Sequence, residues 1–241
     1  MSKWTNHKGG AARWTYVDGL LVIQDKDLYA SRDMRRMITF DPDTDAVRTK
    51  GAPKTAAKLH EMYGADIARA SQRFDIRENV IAGVILSESG RAKKSKDFER
   101  DEISERHESG FESWNVTPHR GSAGLGQQLL TTARAMVEKY ELQDHFKDPY
   151  GCPRELQVGD IIVPSWGIFF TAAYLRDRAE KFKTEDSIKL TSMYNTGGLY
   201  ESDKNKFNLR AYGGEDRFYK HAAYANDYLV VMRSKTNGAI T

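Results

Sequence analysis

In successive stretches between Thr55 and Met232 apolar residues return at three- and four-residue intervals, and that period, which an α-helix satisfies and a strand does not, governs what this chain can fold into. Ala57, Leu59, Met62, Tyr63, Ile67 and Phe74 make one such series. A second is better delimited. Asp75 is a good N-cap and Glu78 stands three residues on, as in a capping box; Val80, Ile81, Val84 and Ile85 then precede the stop signal Gly90. Helical patterns resume at Gln128 to Tyr140, at Ser165 to Phe182 behind Pro164, at Asp186 to Tyr194 and at Asp216 to Met232. The predicted class is mostly α, of the α+β kind.

The β content belongs to the first fifty residues. Trp14 to Ile23 is β-prone around Asp18-Gly19, a hairpin signal, and Ile38-Thr39-Phe40 before Asp41-Pro42-Asp43 reads as a strand and turn. Gly51-Ala52-Pro53-Lys54 looks like a junction. Residues 1–50 are therefore expected to be a small β-prone module or arm, and residues 51–241 the main domain. A length of 241 residues suits one dominant fold with a small addition. The charged stretch Lys93 to Glu108, leading to Trp114, Pro118 and Gly121, is too polar for a core and is expected at the surface.

Composition narrows the function classes. The 37 basic residues nearly balance the 34 acidic ones, for a net charge of +3. That bias would help the chain approach an anionic polymer. No Lys/Arg tract interleaved with aromatics and no zinc-finger spacing occurs, so nucleic acid is not an expected partner. Cys152 is the only cysteine, which rules out an intrachain disulfide and a thiolate metal cluster. The six histidines are scattered without an i, i+4 pair, and neither a metal nor another cofactor is expected. The longest apolar stretch, Ile161 to Leu175, is broken by Pro164, Ser165 and Thr171, and the first thirty residues hold no apolar signal core. Neither membrane insertion nor signal-peptide export is expected.

One carboxyl group stands out. Ile81, Val84, Ile85 and Glu88 are spaced i, i+3, i+4 and i+7, so Glu88 shares the face of the buried aliphatic side chains. Withdrawing a carboxyl from water favours its protonated form, which a general acid needs near neutral pH. A helix-end Glu turned to solvent, or paired with Lys93 or Lys94, is the ordinary alternative.

Four segments, in order, carry a resemblance. Asn79-Val80-Ile81-Ala82-Gly83-Val84-Ile85-Leu86-Ser87-Glu88-Ser89 resembles the catalytic Glu-Ser segment of the goose-type lysozymes, nearly residue for residue. Ala123-Gly124-Leu125-Gly126-Gln127 is similar to that family's Gly-Leu-Met-Gln element, with Gly126 where Met is usual. Ser192-Met193-Tyr194-Asn195-Thr196-Gly197 resembles the Ala-Tyr-Asn-Ala-Gly element, and Tyr224-Ala225-Asn226-Asp227 a stretch of the terminal helix. Each motif alone is weak, but four in order across residues 79 to 227 are specific. Residues 1–50 take no part.

The resemblance, to goose-type lysozymes and soluble lytic transglycosylases, implies a lysozyme-like fold with a glycan cleft. It implies cleavage of peptidoglycan between N-acetylmuramic acid and N-acetylglucosamine, with Glu88 as the acid and no cofactor. Gln127 and Asn195 would hydrogen-bond the sugar, Tyr194 and Tyr224 would line the cleft, and Ser89 would steady the acid. Glu108-Ser109-Gly110-Phe111 also resembles the transglycosylase Glu-Ser-Gly-Phe, but Asp101 to His107 before it offers no apolar face.

An inverting hydrolase needs a second carboxylate about 6.5–9.5 Å from the acid. Where the family places candidate Asp residues, this chain has Thr117-Pro118-His119 and Gln128-Leu129. A lytic transglycosylase needs no separate base, because the sugar's own 6-hydroxyl closes on the anomeric carbon; this is the expected chemistry. A muramidase using Glu108 or Glu112 as base, and a non-catalytic wall-binding particle component with Trp14 and Tyr16 stacking on sugars, stay open. The expected protein is a monomer, made in the cytoplasm and acting on the cell wall in phage lysis or as part of a virion.

Overall fold

The computed structural model, which describes residues 5–6, 13–23, 36–50, 53–89, 122–197, 201–202, 206–207 and 215–238, turns the helical series into seven α-helices among those residues. They are α1 (Lys54–Phe74), α2 (Glu78–Ser89), α3 (Leu130–Lys139), α4 (Val158–Ile162), α5 (Pro164–Phe182), α6 (Ser187–Thr196) and α7 (Glu215–Gly238). The β content is short and antiparallel. Strands β1 (Thr5–Asn6), β2 (Arg13–Val17) and β3 (Leu20–Ile23) form one sheet; β4 (Ile38–Phe40) pairs with β5 (Val47–Thr49), and β6 (Glu201–Ser202) with β7 (Lys206–Phe207). The class is mostly α, as the periodicity indicates.

The β2–β3 hairpin turns at Asp18-Gly19, both with positive φ (49° and 76°), the conformation that a tight two-residue turn requires. Pro164 opens α5 from its first turn, where a missing N–H costs nothing, and Asp186 caps α6 by accepting from the N–H groups of Ile188 and Lys189. One capping expectation is corrected. Asp75 does not start α2; it closes α1 in a left-handed conformation (φ 51°), its N–H donating to Ser71 O. Aspartate tolerates that region better than most residues, and the helix ends there instead of a new one beginning.

Helix α2 is central. Every residue from Val80 to Ser87 is buried, which is what a helix apolar on all sides demands. Its aliphatic side chains join Leu59, Ile67 and Phe74 of α1, Ile168, Phe170 and Leu175 of α5 and Tyr228 of α7 in the main core. Each aliphatic side chain buried in this way contributes about 1.5–3 kcal/mol. Against α7 the crossing is close: a Cβ added at Gly83 would meet Ala225 Cβ at 3.0 Å and His221 O at 3.2 Å.

A second cluster joins the N-terminal strands to the helices. Trp14, Leu21, Ile23, Ile38 and Val47 pack on Ile188 of α6 and on Tyr219, Ala222 and Ala223 of α7. Polar clamps reinforce it. The buried Asn226 amide accepts from Leu21 N–H (2.8 Å) and donates to Leu21 O (2.9 Å) and Val47 O (2.7 Å). Next to it, Asp227 accepts from Arg48 Nε at 2.5 Å and from the Thr49 hydroxyl. No helix of the described residues is long and apolar enough to cross a membrane.

Candidate active site

The last turn of α2 carries the buried stripe to its polar end. Ser87 is still buried, and Glu88 follows with its side chain 10% exposed. Lys220 of α7 donates to Ser87 O at 2.7 Å, meeting one of the carbonyls that a helix C-terminus leaves without a partner in the helix. Glu88 opens onto a cavity of about 420 Å³ whose walls include Gln127, Gln128, Tyr174, Tyr194 and Gly197.

The turn that holds the two glutamines is tightly specified. Ala123 and Gln128 exchange backbone hydrogen bonds at 2.9 Å, and Gln127 N–H donates to Gly124 O at 3.1 Å. Gly124 has φ +71°, and a Cβ there would stand 2.2 Å from Ile161 O, so glycine is obligatory on two counts. Gln127, itself at φ 51°, folds its amide back on this turn: Nε2 donates to Gly124 O and Oε1 accepts from Ser122 Oγ, both at 3.0 Å. Gln127 thus borders the cavity with its amide engaged in shaping the turn.

Tyr194 reaches the same wall from α6. Its hydroxyl donates to Gly126 O at 2.6 Å, accepts from the amide of the buried Gln128, and lies 3.4 Å from Thr171 Oγ1, which donates to Gly167 O at 2.8 Å. Burial pushes the Tyr194 phenol well above its ordinary value and the Glu88 carboxylate adds to the push, so the phenol stays neutral at any physiological pH. Tyr174 of α5 stands edge-on to Tyr194, with ring centroids 5.5 Å apart. The Arg178 guanidinium lies 4.8 Å over the Tyr174 ring and donates to Gly197 O at 2.5 Å, closing the far end of the wall.

Of the residues singled out from sequence, Glu88, Gln127 and Tyr194 come together at this cavity. Ser89 ends α2 and Asn195 lies in the last turn of α6, each next in sequence to a lining residue, while their side chains lie outside the described residues. Tyr224 is half-buried on α7, packs against the main core and is not among the lining residues. Burial first, and Asp227 second, push its phenol up. Glu108 and Glu112, with all of residues 90–121, lie outside the described residues.

Sugar stacking by Trp14 is excluded. That side chain is fully buried, and its indole N–H donates to Asp186 Oδ2 at 3.1 Å beside Tyr16, whose hydroxyl donates to Oδ1 at 3.2 Å.

Gln128 and Tyr174 were missed by sequence reasoning, and so was His221, whose Nε2 lies 3.9 Å from Glu88 Oε1. Gln128 had a signal in being next to Gln127, since one residue of register decides which amide turns inward. Tyr174 and His221 had none, because only the packing of α5 and α7 brings them to α2. Among the described residues the lining is one carboxyl group among amides, hydroxyls and aromatic rings, a wall able to hydrogen-bond a neutral polar ligand and stack on its apolar faces. The chain matches no protein-family model, and no curated protein matches it.

Proposed function

We propose that this chain is a peptidoglycan-cleaving glycosidase, acting as a lytic transglycosylase with Glu88 as its acid and then its base. The observation that carries the reading is the placement of Glu88: one-tenth exposed, at the end of an apolar helix, and the sole carboxylate among the described residues lining the cavity. The motif resemblance supplies the substrate class; the cavity lining suits it, because a glycan presents hydroxyl and acetamido groups with apolar ring faces.

In the proposed reaction the Glu88 carboxyl gives its proton to the glycosidic oxygen as the bond from that oxygen to the muramyl anomeric carbon breaks, through an oxocarbenium-like transition state. The carboxylate left behind takes the proton of the muramyl 6-hydroxyl as that oxygen bonds to the same carbon. The 1,6-anhydro product forms and Glu88 is protonated again. No second carboxylate is required, and among the described lining residues none is present. Such an enzyme acts on the cell wall, in lysis or from a phage particle.

The test is digestion of purified peptidoglycan by the wild-type chain and by Glu88→Gln. The variant is expected to fold normally and to lose activity by about 100-fold or more, the scale of a general acid's contribution. Product masses should show anhydro-muramic ends. Normal cutting by Glu88→Gln would overturn the assignment of the acid, reducing ends would convert the reading to a hydrolase, and wall binding without any product would leave a binding protein.

A further inference from the structure

The acid is faced by a histidine that nothing in the sequence pattern marks. His221 belongs to α7, is 3% exposed, and holds Nε2 at 3.9 Å from Glu88 Oε1. It is brought there by backbone packing. The missing side chain of Gly83 lets α7 approach α2 until the carbonyl of His221 itself lies within 3.2 Å of where a Cβ would be. Lys220, one residue earlier, ties the same turn of α7 to Ser87 O at the same end of α2. Two adjacent residues of α7 thus stand at the last turn of α2, Lys220 bonded to its backbone and His221 beside its carboxyl group.

We propose that His221 is the positioning residue of Glu88, aiming its carboxyl at the cavity and balancing the negative charge that appears when the proton leaves. This rests on the glycosidase reading above for its purpose, and on the geometry alone for the pairing. At 3.9 Å the two groups are beyond hydrogen-bond distance, but within the range of charge interaction when the imidazole is protonated. A nearly buried carboxylate with no such neighbour would be costly to form. The proton given to the glycosidic oxygen comes from Glu88 and is restored from the 6-hydroxyl, so His221 ends each cycle as it began.

Among the described residues, other titratable and charged groups stand near the pair: Tyr174 lines the same cavity with Arg178 over its ring, and Tyr224 lies under Lys220. Tyr194, from α6, is held neutral by burial. Lys220 of α7 is directed at Ser87 O, and Asp227, further along α7, is engaged by Arg48 and Thr49 of β5.

Two measurements on the full chain test the proposal. In the first, the His221 ring proton is followed by NMR against pH in the wild type and in Glu88→Gln. Once ionised, the Glu88 carboxylate favours the charged imidazole, so over the range in which both groups titrate the midpoint should fall by about 0.5 or more in the variant. An unchanged midpoint overturns the pairing. In the second, soluble glycan strands are digested by His221→Leu and His221→Gln. The leucine variant should lose about 10-fold or more in kcat with KM nearly unmoved, and glutamine, which keeps a polar group but no charge, should recover only part of it. A leucine variant with wild-type kcat overturns the role. Should His221→Leu not fold, the titration in Glu88→Gln decides alone; should the wild type cut no glycan, the function fails while the titration still judges the pairing.

Discussion

A side chain at position 126 would collide with two hydroxyls. A Cβ there would lie 2.0 Å from Thr171 Oγ1 and 2.7 Å from Tyr194 OH, while the carbonyl of the same residue accepts from that tyrosine at 2.6 Å. Both hydroxyls are committed to partners and cannot swing away without leaving a polar group unsatisfied. Gly126→Ala should therefore destabilise the fold by about 1–3 kcal/mol, the usual cost of overpacking, and displace Tyr194 from the cavity wall. Thermal denaturation checks the first effect and the near-ultraviolet signal of the tyrosines the second; an alanine variant with wild-type Tm would contradict the close packing. From sequence, Gly126 could be seen only as a departure from Gly-Leu-Met-Gln. Its reason was illegible there, because it lies in Thr171 and Tyr194, 45 and 68 residues away along the chain. Glu88 was legible because it lies on the apolar face of its own helix and within the segment that resembles the goose-type lysozymes.

Helix α7 serves two sides of the molecule at once. One side presses on α2 and carries His221 to Glu88; another holds β3 and β5 through Asn226 and Asp227. Replacing Asn226 by alanine would strip partners from Leu21 N–H, Leu21 O and Val47 O in a buried setting, at a cost of about 2–4 kcal/mol. Native-state hydrogen exchange should then show the β2–β3 amides losing protection before those of α1 and α2; equal loss in all of them would mean that the clamp is not local to the strands. The existence of most elements could be read from period and punctuation, as with the Asp18-Gly19 turn and the Pro164 start of α5. What could not be read was the docking of the strands. Asn226 and Leu21 are 205 residues apart, and Asn226, expected as part of a terminal-helix motif, gives no local hint that its amide will serve a strand. Asp75 failed differently: one residue suits both a helix start and a left-handed stop, and the chain used the second.

Over the whole molecule, ion pairs between separate elements make stability depend on acidity. Lys139 of α3 bridges Asp177 and Glu180 of α5, and Arg154 holds Asp160 of α4 with two hydrogen bonds at 2.7 Å. Arg154 keeps the Asp160 carboxyl below its ordinary value, and Lys139 does the same for Glu180. A carboxyl lowered in the fold contributes stability that is fully present above its unfolded value, near 4, and that is lost as the pH falls through the folded one. Asp227 acts in the reverse sense: burial, outweighing Thr49 and Arg48, pushes its carboxyl up, so its charged form is a cost at neutrality that protonation relieves on the way down. The opposed shifts separate into two windows. Between neutrality and about pH 4 acidification should change Tm little, because relief of the raised Asp227 carboxyl is opposed by His60, whose imidazole burial holds below its ordinary value so that the unfolded chain takes up that proton first; below about pH 4 the lowered carboxyls take up protons and Tm should fall steeply. Asp160→Asn removes one of the lowered groups, so its Tm should lie below that of the wild type at pH 7 and approach it as the pH falls below about 4. A gap that stays constant across that range would mean that the Arg154–Asp160 contact contributes through shape and packing, with no part for its charge.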